Sequence, residues 1–176
     1  MKVLKFTVII LIICSCSKNL EIWEIKDSNN SEEISEKVAL VFEKLLDEDN
    51  PKIEYIIGNW NKNKYEQHFK YLGDVETNKK LRLKVVISKL FVGDTTKRGI
   101  SRVFVLDSLG IIGSYFIPDI RDLPQKMENG ILFFKNENNN CIQATTTVDF
   151  RNGIPQKIFR KCNGKYGDLY EFQYEE

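Results

Sequence analysis

The residue types that could perform acid–base chemistry are few and lie far apart in the chain. His68 is the only histidine, and Asp119 and Asp122 lie in a short segment between Pro118 and Pro124. An imidazole and a carboxylate can act as general base and general acid when the fold brings them together. The simpler interpretation is structural, because aspartates in a proline-bounded segment commonly form turns. A hydrolase that uses His68 with Asp119 or Asp122 is the third of three functional hypotheses.

Other catalytic and metal-binding patterns are absent from the sequence. Residues 47–51 begin like a calcium loop, but Lys52 occupies the sixth position, where such a loop requires glycine. The run is better explained as the end of a helix. One histidine leaves too few ligands for zinc, and neither a P-loop nor a dinucleotide-binding glycine motif occurs. The sequence therefore assigns no catalytic, metal or cofactor-binding residue, and an enzymatic role is disfavoured.

Five aromatic residues are close together in the sequence. They are Tyr55, Trp60, Tyr65, Phe69 and Tyr71. Aromatic side chains on an exposed sheet face can bind glycans or peptides, but they are more often part of a core. The sequence leaves both interpretations open.

The first residues of the chain have the layout of an export signal. Lys2 and Lys5 precede an apolar run over residues 6–13, and small residues and cysteines follow. A transmembrane helix needs about 20 apolar residues, so this run is better explained as a secretory signal peptide. The alternative is a buried N-terminal strand of a cytosolic protein.

The end of this leader resembles the lipobox of bacterial lipoproteins, in which an aliphatic residue and two small ones precede a cysteine. Ile13, Ser15 and Cys16 fit that pattern, and Cys14 occupies the second slot. The resemblance implies cleavage before Cys16 and acylation of Cys16, palmitate included. Ser17 after the lipidated cysteine implies the outer membrane in a cell with two membranes. Cys14 is a poorer candidate, because it follows the bulky Ile13.

Two cysteines, Cys141 and Cys162, remain in the body of the chain. In an exported protein such a pair predicts a disulfide. By closing the loop between the two cysteines, the disulfide would stabilise the fold by about 3 kcal/mol. Strands at 141–150 and 155–162 around Asn152–Gly153 would form a hairpin and place the two cysteines diagonally across it. Two unpaired buried thiols are the alternative. A redox-active pair is disfavoured, because there is no Cys-x-x-Cys motif.

The charge of the mature chain is nearly balanced. The chain has 26 basic and 25 acidic residues, and cleavage before Cys16 removes Lys2 and Lys5 but no acidic residue. Such a balance gives no indication of a nucleic-acid partner. The remaining length suits one domain with its own core.

Hydrophobic periodicity predicts an α+β fold. Apolar residues at helical spacing over 31–48 predict one amphipathic helix, capped by Asn30 and Glu33. We expect this N-terminal helix to pack on an antiparallel meander of about seven to eight strands. The predicted strands are 53–57, 81–92, 101–107, 111–117, 131–135, 141–150, 155–162 and 168–174. Residues 65–72 fit either a helix or a strand, and their aromatic residues and the preceding turn favour the strand.

The expected organisation has three parts, a signal peptide over 1–15, a lipid-anchored tether over 16–29 and a domain over 30–176. Leu20, Ile22, Trp23 and Ile25 interrupt the polar tether. They predict an edge strand or docking of the tether on the domain, and contact of Trp23 with the membrane interface is the alternative.

The leading functional hypothesis is an exported lipoprotein of the cell envelope with a non-enzymatic binding or structural role. Its expected partners are the membrane, through the lipid anchor, and another protein. The second hypothesis, by analogy alone, is an envelope immunity protein that neutralises a toxin.

Overall fold

The computed structural model describes residues 19–24, 30–136, 141, 144–163 and 165–175. Within these residues the helices are α1 (Ser31–Asp47) and α2 (Trp60–Asn63), and a 3-10 turn covers Ile120–Asp122. The strands are β1 (Asn19–Trp23), β2 (Ile53–Gly58), β3 (Tyr65–Glu76), β4 (Arg82–Val92), β5 (Arg98–Asp107), β6 (Gly110–Ile117), β7 (Lys126–Glu128), β8 (Ile131–Lys135), β9 (Thr145–Asp149), β10 (Lys157–Asn163) and β11 (Tyr166–Tyr174). The predicted signal peptide, with Cys14 and Cys16, and the tether residue Ile25 lie outside the described residues.

Eight strands form one sheet, in the order β1-β2-β3-β4-β5-β6-β11-β10, and β7, β8 and β9 form a second sheet. Neighbouring strands pair antiparallel, except that β1 and β2 run parallel. The α+β class predicted from the sequence is therefore confirmed. The finer expectation of a single antiparallel meander is wrong, because the large sheet is mixed and a separate three-stranded sheet accompanies it.

Strand β1 explains the mixed sheet. It comes from the segment expected to be a tether, and it pairs with β2 in the register Leu20↔Glu54 and Ile22↔Ile56. Helix α1 connects the two strands, and a helical crossover is the usual connection between neighbouring parallel strands. The expected edge strand is confirmed over Asn19–Trp23, and α1 is therefore the second described element rather than the first.

Helix α1 matches its predicted extent to within one residue. The side chain of Asn30 accepts a hydrogen bond from the backbone N–H of Glu33, at 3.2 Å, as the capping pattern predicted. Val41 and Leu45 of the helix are fully buried, whereas Leu40 is exposed. The apolar stripe is therefore the face that packs on the sheet.

The large sheet is the middle of three layers. Its helix-side face contributes to a smaller core with α1, and its other face packs on the three-stranded sheet. Strand β4 contributes to both cores, with Val85 and Ile87 on one side and Val86 on the other. A strand buried on both faces has a nearly continuous apolar sequence, which explains the run in β4.

The predicted hairpin between 141–150 and 155–162 is wrong. Strand β9 pairs with β8, and β10 pairs with β11, so the turn at Asn152–Gly153 connects two different sheets. Asn-Gly favours a tight turn but does not decide which strands pair afterwards. The Asn129–Gly130 turn does connect paired strands, β7 and β8, and both residues have positive φ, at 51° and 75°.

Candidate functional site

His68 lies on β3, on the face of the large sheet that points away from α1. The alternation along β3 places its neighbour Phe69 in the core beneath the helix. Two carboxylates share the face of His68, one from β2 and one from β3. Nδ1 of His68 lies 3.0 Å from Oε1 of Glu54, and Nε2 lies 2.9 Å from Oε1 of Glu66.

This geometry favours the protonated imidazole. Ionised carboxylates only accept hydrogen bonds, so two of them are matched best by an imidazolium, in which both ring nitrogens of His68 donate. Burial, the largest single influence, lowers the pKa of His68, but the hydrogen bonds and charges of Glu54 and Glu66 together raise it above its ordinary value. In the imidazolium form neither ring nitrogen can accept a proton from a substrate.

Lys97, between β4 and β5, extends the network. Its Nζ lies 3.2 Å from Oε1 of Glu66 and 4.1 Å from the centre of the Phe91 ring. Burial raises the pKa of Glu66, but hydrogen bonds from His68, the Trp60 backbone and Lys97 outweigh it, and the net pKa is lowered. Glu54, His68, Glu66 and Lys97 therefore form a line of alternating charges, which we call the charge chain.

The charge chain does not resemble a metal centre. Each nitrogen of His68 faces a different carboxylate, so the three side chains do not converge on one point. Among the described residues no group of three or more histidine, cysteine, aspartate or glutamate side chains is placed to hold a metal ion.

The two aspartates of the proline-bounded segment bind arginines. Asp119 accepts hydrogen bonds from the backbone N–H and the guanidinium of Arg121, which lower the pKa of Asp119 to about 2. Asp122 lies 2.6 Å from the buried guanidinium of Arg160. No hydrogen bond or ion pair joins either aspartate to His68 in the part of the chain that the structure describes. The structure does not bring these candidate catalytic residues together.

The acidic run after α1 serves the end of the helix. One carboxylate oxygen of Glu48 accepts hydrogen bonds from the backbone N–H groups of Asp49 and Asn50, and the other accepts one from Tyr55. The ammonium group of Lys84 donates to the backbone carbonyl of Glu48. A cation near a helix C-terminus stabilises the helix. The acidic run is therefore the end of α1, as predicted from the sequence.

The aromatic cluster divides into core and rim. Tyr55, Tyr65, Phe69 and Tyr71 are buried beneath α1, whereas Trp60 is only half-buried. Trp23 on β1 contacts Tyr55 edge to face, with ring centres 6.5 Å apart. Four of the five clustered aromatic residues therefore belong to the core and offer no exposed aromatic surface.

Cys141 and Cys162 lie at bonding distance. Their sulfur atoms are 2.03 Å apart and their Cα atoms 4.5 Å apart, at a sequence separation of 21. The pair joins the segment before β9 to the irregular end of β10, where the register shifts between Lys161 and Asn163. The pairing of Cys141 with Cys162 matches the prediction, although the predicted hairpin between their strands does not form.

On the side of His68, the described residues of the three-stranded sheet stop short of one end of the large sheet, where Ile120 of the 3-10 turn lies near Phe91. The three-stranded sheet covers Leu83, Val85 and Ile87 of β4, but Lys89 and Phe91 further along the strand are only half-buried. On the neighbouring strands, Ile56 and Lys70 are also half-buried, and Leu20 and Ile22 on β1 are 49% and 64% exposed. We call this surface the open face; besides the charge chain it comprises Leu20, Ile22, Ile56, Lys70, Lys89 and Phe91.

Sequence reasoning found His68 but missed its partners. Glu66 lies two residues before His68 on β3, so the alternation of that strand alone places the two side chains on one face. Glu54 reaches His68 because the β2–β3 register pairs Ile56 with His68 and Glu54 with Lys70. The alternation of each strand was visible in the sequence, but the register between strands was not.

No helix among the described residues is long and apolar enough to cross a membrane. Comparison of the chain with models of protein families, with curated proteins and with solved structures finds no match.

Proposed function

We propose that this chain is an exported lipoprotein of the cell envelope, anchored by lipid on Cys16, with a non-enzymatic binding role carried by the open face. The anchor proposal rests on the leader, in which Lys2 and Lys5, a short apolar run and Ser15–Cys16 follow one another in the order of a lipoprotein signal. Ser17 favours the outer membrane where a cell has two membranes.

The cysteine pair supports the proposed location. Disulfides persist in oxidising compartments and are rare in the cytosol. Cys141 and Cys162 are at bonding distance, and the other two cysteines, Cys14 and Cys16, lie on either side of the proposed cleavage position. A pair so placed suits a protein that works outside the cytosol.

The observation that carries the binding role is the difference between paired and unpaired groups on the open face. The carboxylates of Glu54 and Glu66 are bound by His68 and Lys97. The ammonium groups of Lys70 and Lys89 make no hydrogen bond or ion pair with any residue that the structure describes. Cations without a described partner on β3 and β4, on the same face as the exposed Leu20 and Ile22 of β1, suit a surface that meets a partner rather than a reacting centre.

The anchor is tested by fractionation of cells that produce single-cysteine variants. Cys16→Ala should move the protein from the membrane fraction to the soluble fraction, because it removes the acylated sulfur. Cys14→Ala is the matched control, two residues away, and should leave the protein in the membrane fraction. Equal membrane retention of both variants would contradict the assignment of Cys16.

A further inference from the structure

We infer that the open face lies on the lipid surface of the membrane that carries the anchor. This inference rests on the proposed acylation of Cys16, and it adds the partner and the orientation of the domain. Three observations carry it: the length of chain between anchor and sheet, the exposed apolar residues of β1, and the charge of the open face.

The chain between the anchor and the sheet is short. Strand β1 begins at Asn19, three residues after Cys16. Three peptide units span at most about 11 Å when fully extended. The headgroup layer of one leaflet is on the order of 6 Å thick. An acylated Cys16 therefore keeps the start of β1 at the membrane surface, whatever path the connecting residues take.

The exposed side chains of β1 suit an interface with lipid. Leu20 and Ile22 are 49% and 64% exposed, and both lie on the open face, since they pair with Glu54 and Ile56. The other face of β1 is occupied by the domain itself, because Trp23 packs on Tyr55 and Glu21 pairs with Lys44. Apolar side chains in the headgroup region are favoured by burial of their surface, so the open side of β1 is the side that gains from contact.

The charge of the open face suits anionic headgroups. His68, Lys70, Lys89 and Lys97 carry positive charge there, against the carboxylates of Glu54 and Glu66. The excess resides in Lys70 and Lys89, whose half-buried stems let the ammonium groups extend from the sheet. Cations on a surface next to exposed apolar residues are the usual composition of a face that lies on anionic lipid.

The opposite face of the sheet provides a contrast within the same molecule. Phe159 and Leu169 are cross-strand neighbours on β10 and β11, 44% and 53% exposed. They lie at the far edge of the sheet from β1 and alternate with Ile158 and Tyr170, which face the larger core. Their exposure matches that of Leu20 and Ile22, but no anchor lies near them in sequence.

The test measures the reactivity of lysines in the full mature protein. The acylated protein is placed in vesicles of phosphatidylethanolamine and phosphatidylglycerol and treated with a membrane-impermeant amine-acetylating reagent. Mass spectrometry then gives the rate at each lysine, relative to the exposed Lys161 on β10, in vesicles and in detergent. We expect Lys70 and Lys89 to react severalfold more slowly in vesicles, with no change at Lys161.

Variants that introduce negative charge on β1 locate the contact. In Leu20→Glu/Ile22→Glu, Lys70 and Lys89 should regain the reactivity that they have in detergent. The matched variant Phe159→Glu/Leu169→Glu should leave their protection unchanged. Thermal melts of both variants check that the domain is folded.

The outcomes separate this inference from the proposed function. If the acyl mass on Cys16 is present but Lys70 and Lys89 react equally in vesicles and detergent, the open face is not against lipid and the inference is overturned while the anchor stands. If the acyl mass is absent, the proposed function and the inference fail together. Protection in isolated envelopes but not in pure lipid vesicles would mean that a protein covers the face, which also overturns the inference.

Discussion

The protonation of His68 ties the stability of the sheet to pH. Its folded pKa is raised above the ordinary value of 6.5, so the imidazolium is stabilised by folding. A raised pKa contributes stability that is fully present below the unfolded value and is lost as pH rises through the folded value. We predict that the free energy of unfolding falls as pH rises above 6.5 through the folded pKa of His68, as measured by denaturant unfolding across that range.

The single histidine makes this prediction easy to check. Its imidazole resonance in an NMR pH titration is free of overlap with other histidines, and its midpoint should lie above 6.5. His68→Gln should remove the dependence of stability on pH in this range. A midpoint at or below 6.5 would mean that the carboxylates of Glu54 and Glu66 do not hold the ring as the structure places them.

The two aspartates that suggested acid–base chemistry should differ in their effect on stability. Breaking a buried ion pair costs about 3 kcal/mol, because it leaves the buried charge without its partner. Asp122→Ala removes the nearer carboxylate partner of the buried Arg160 and leaves Asp168 at 3.7 Å, so it should lower the free energy of unfolding by up to about that amount. Asp119→Ala is the matched control, since its partner Arg121 is exposed, and it should cost about 1 kcal/mol or less. Equal effects in denaturant melts would contradict the assigned roles.

At the scale of elements, the sequence predicted most of the strands but not their partners. The periodicity identified α1 to within one residue and the strands β2–β6, β8, β10 and β11 at nearly their observed positions. Strand β7 was missed, because its three residues are too few to show alternation. The pairing of β9 with β8 rather than β10 depends on which faces bury Phe134, Phe150 and Ile158 in the larger core, and local turn signals do not contain that information.

The candidate site was predictable only in part for the same reason. His68 was recognisable as the single histidine, and Leu20 and Ile22 as apolar residues in a polar stretch. The open face requires knowledge of how far the three-stranded sheet extends along β4, which depends on long-range packing. Only the assembled layers show that Lys89 and Phe91 lie beyond its edge.

The cysteine pair should stabilise the connection between β9 and β10. A cross-link that closes a loop of this length contributes about 3 kcal/mol, mainly by restricting the unfolded chain. We predict that reductant lowers the melting temperature of the mature protein by about 6–12 °C, as measured by circular dichroism. The double variant Cys141→Ser/Cys162→Ser should melt at the reduced temperature with or without reductant. A melt of the parent protein that reductant leaves unchanged would argue against the bond.

At the scale of the whole molecule, the anchor and the sheet define one orientation. Strand β1 is both the edge of the large sheet and the first described element after Cys16, the proposed lipidation site. An anchor so close to a sheet edge restricts how the domain can turn relative to the membrane. In the proposed orientation the open face of β1–β4 lies on the lipid, and β10 with β11, at the other edge of the sheet, lies far from Cys16.

The central claim is that lipid on Cys16 holds this domain at the envelope. It is tested most directly by mass spectrometry of the N-terminal peptide of the protein, purified from the membrane fraction of cells that produce it. The account predicts a peptide that begins at Cys16 and carries the mass of acyl chains. Soluble cytosolic protein with an unmodified, uncleaved Met1 would contradict it.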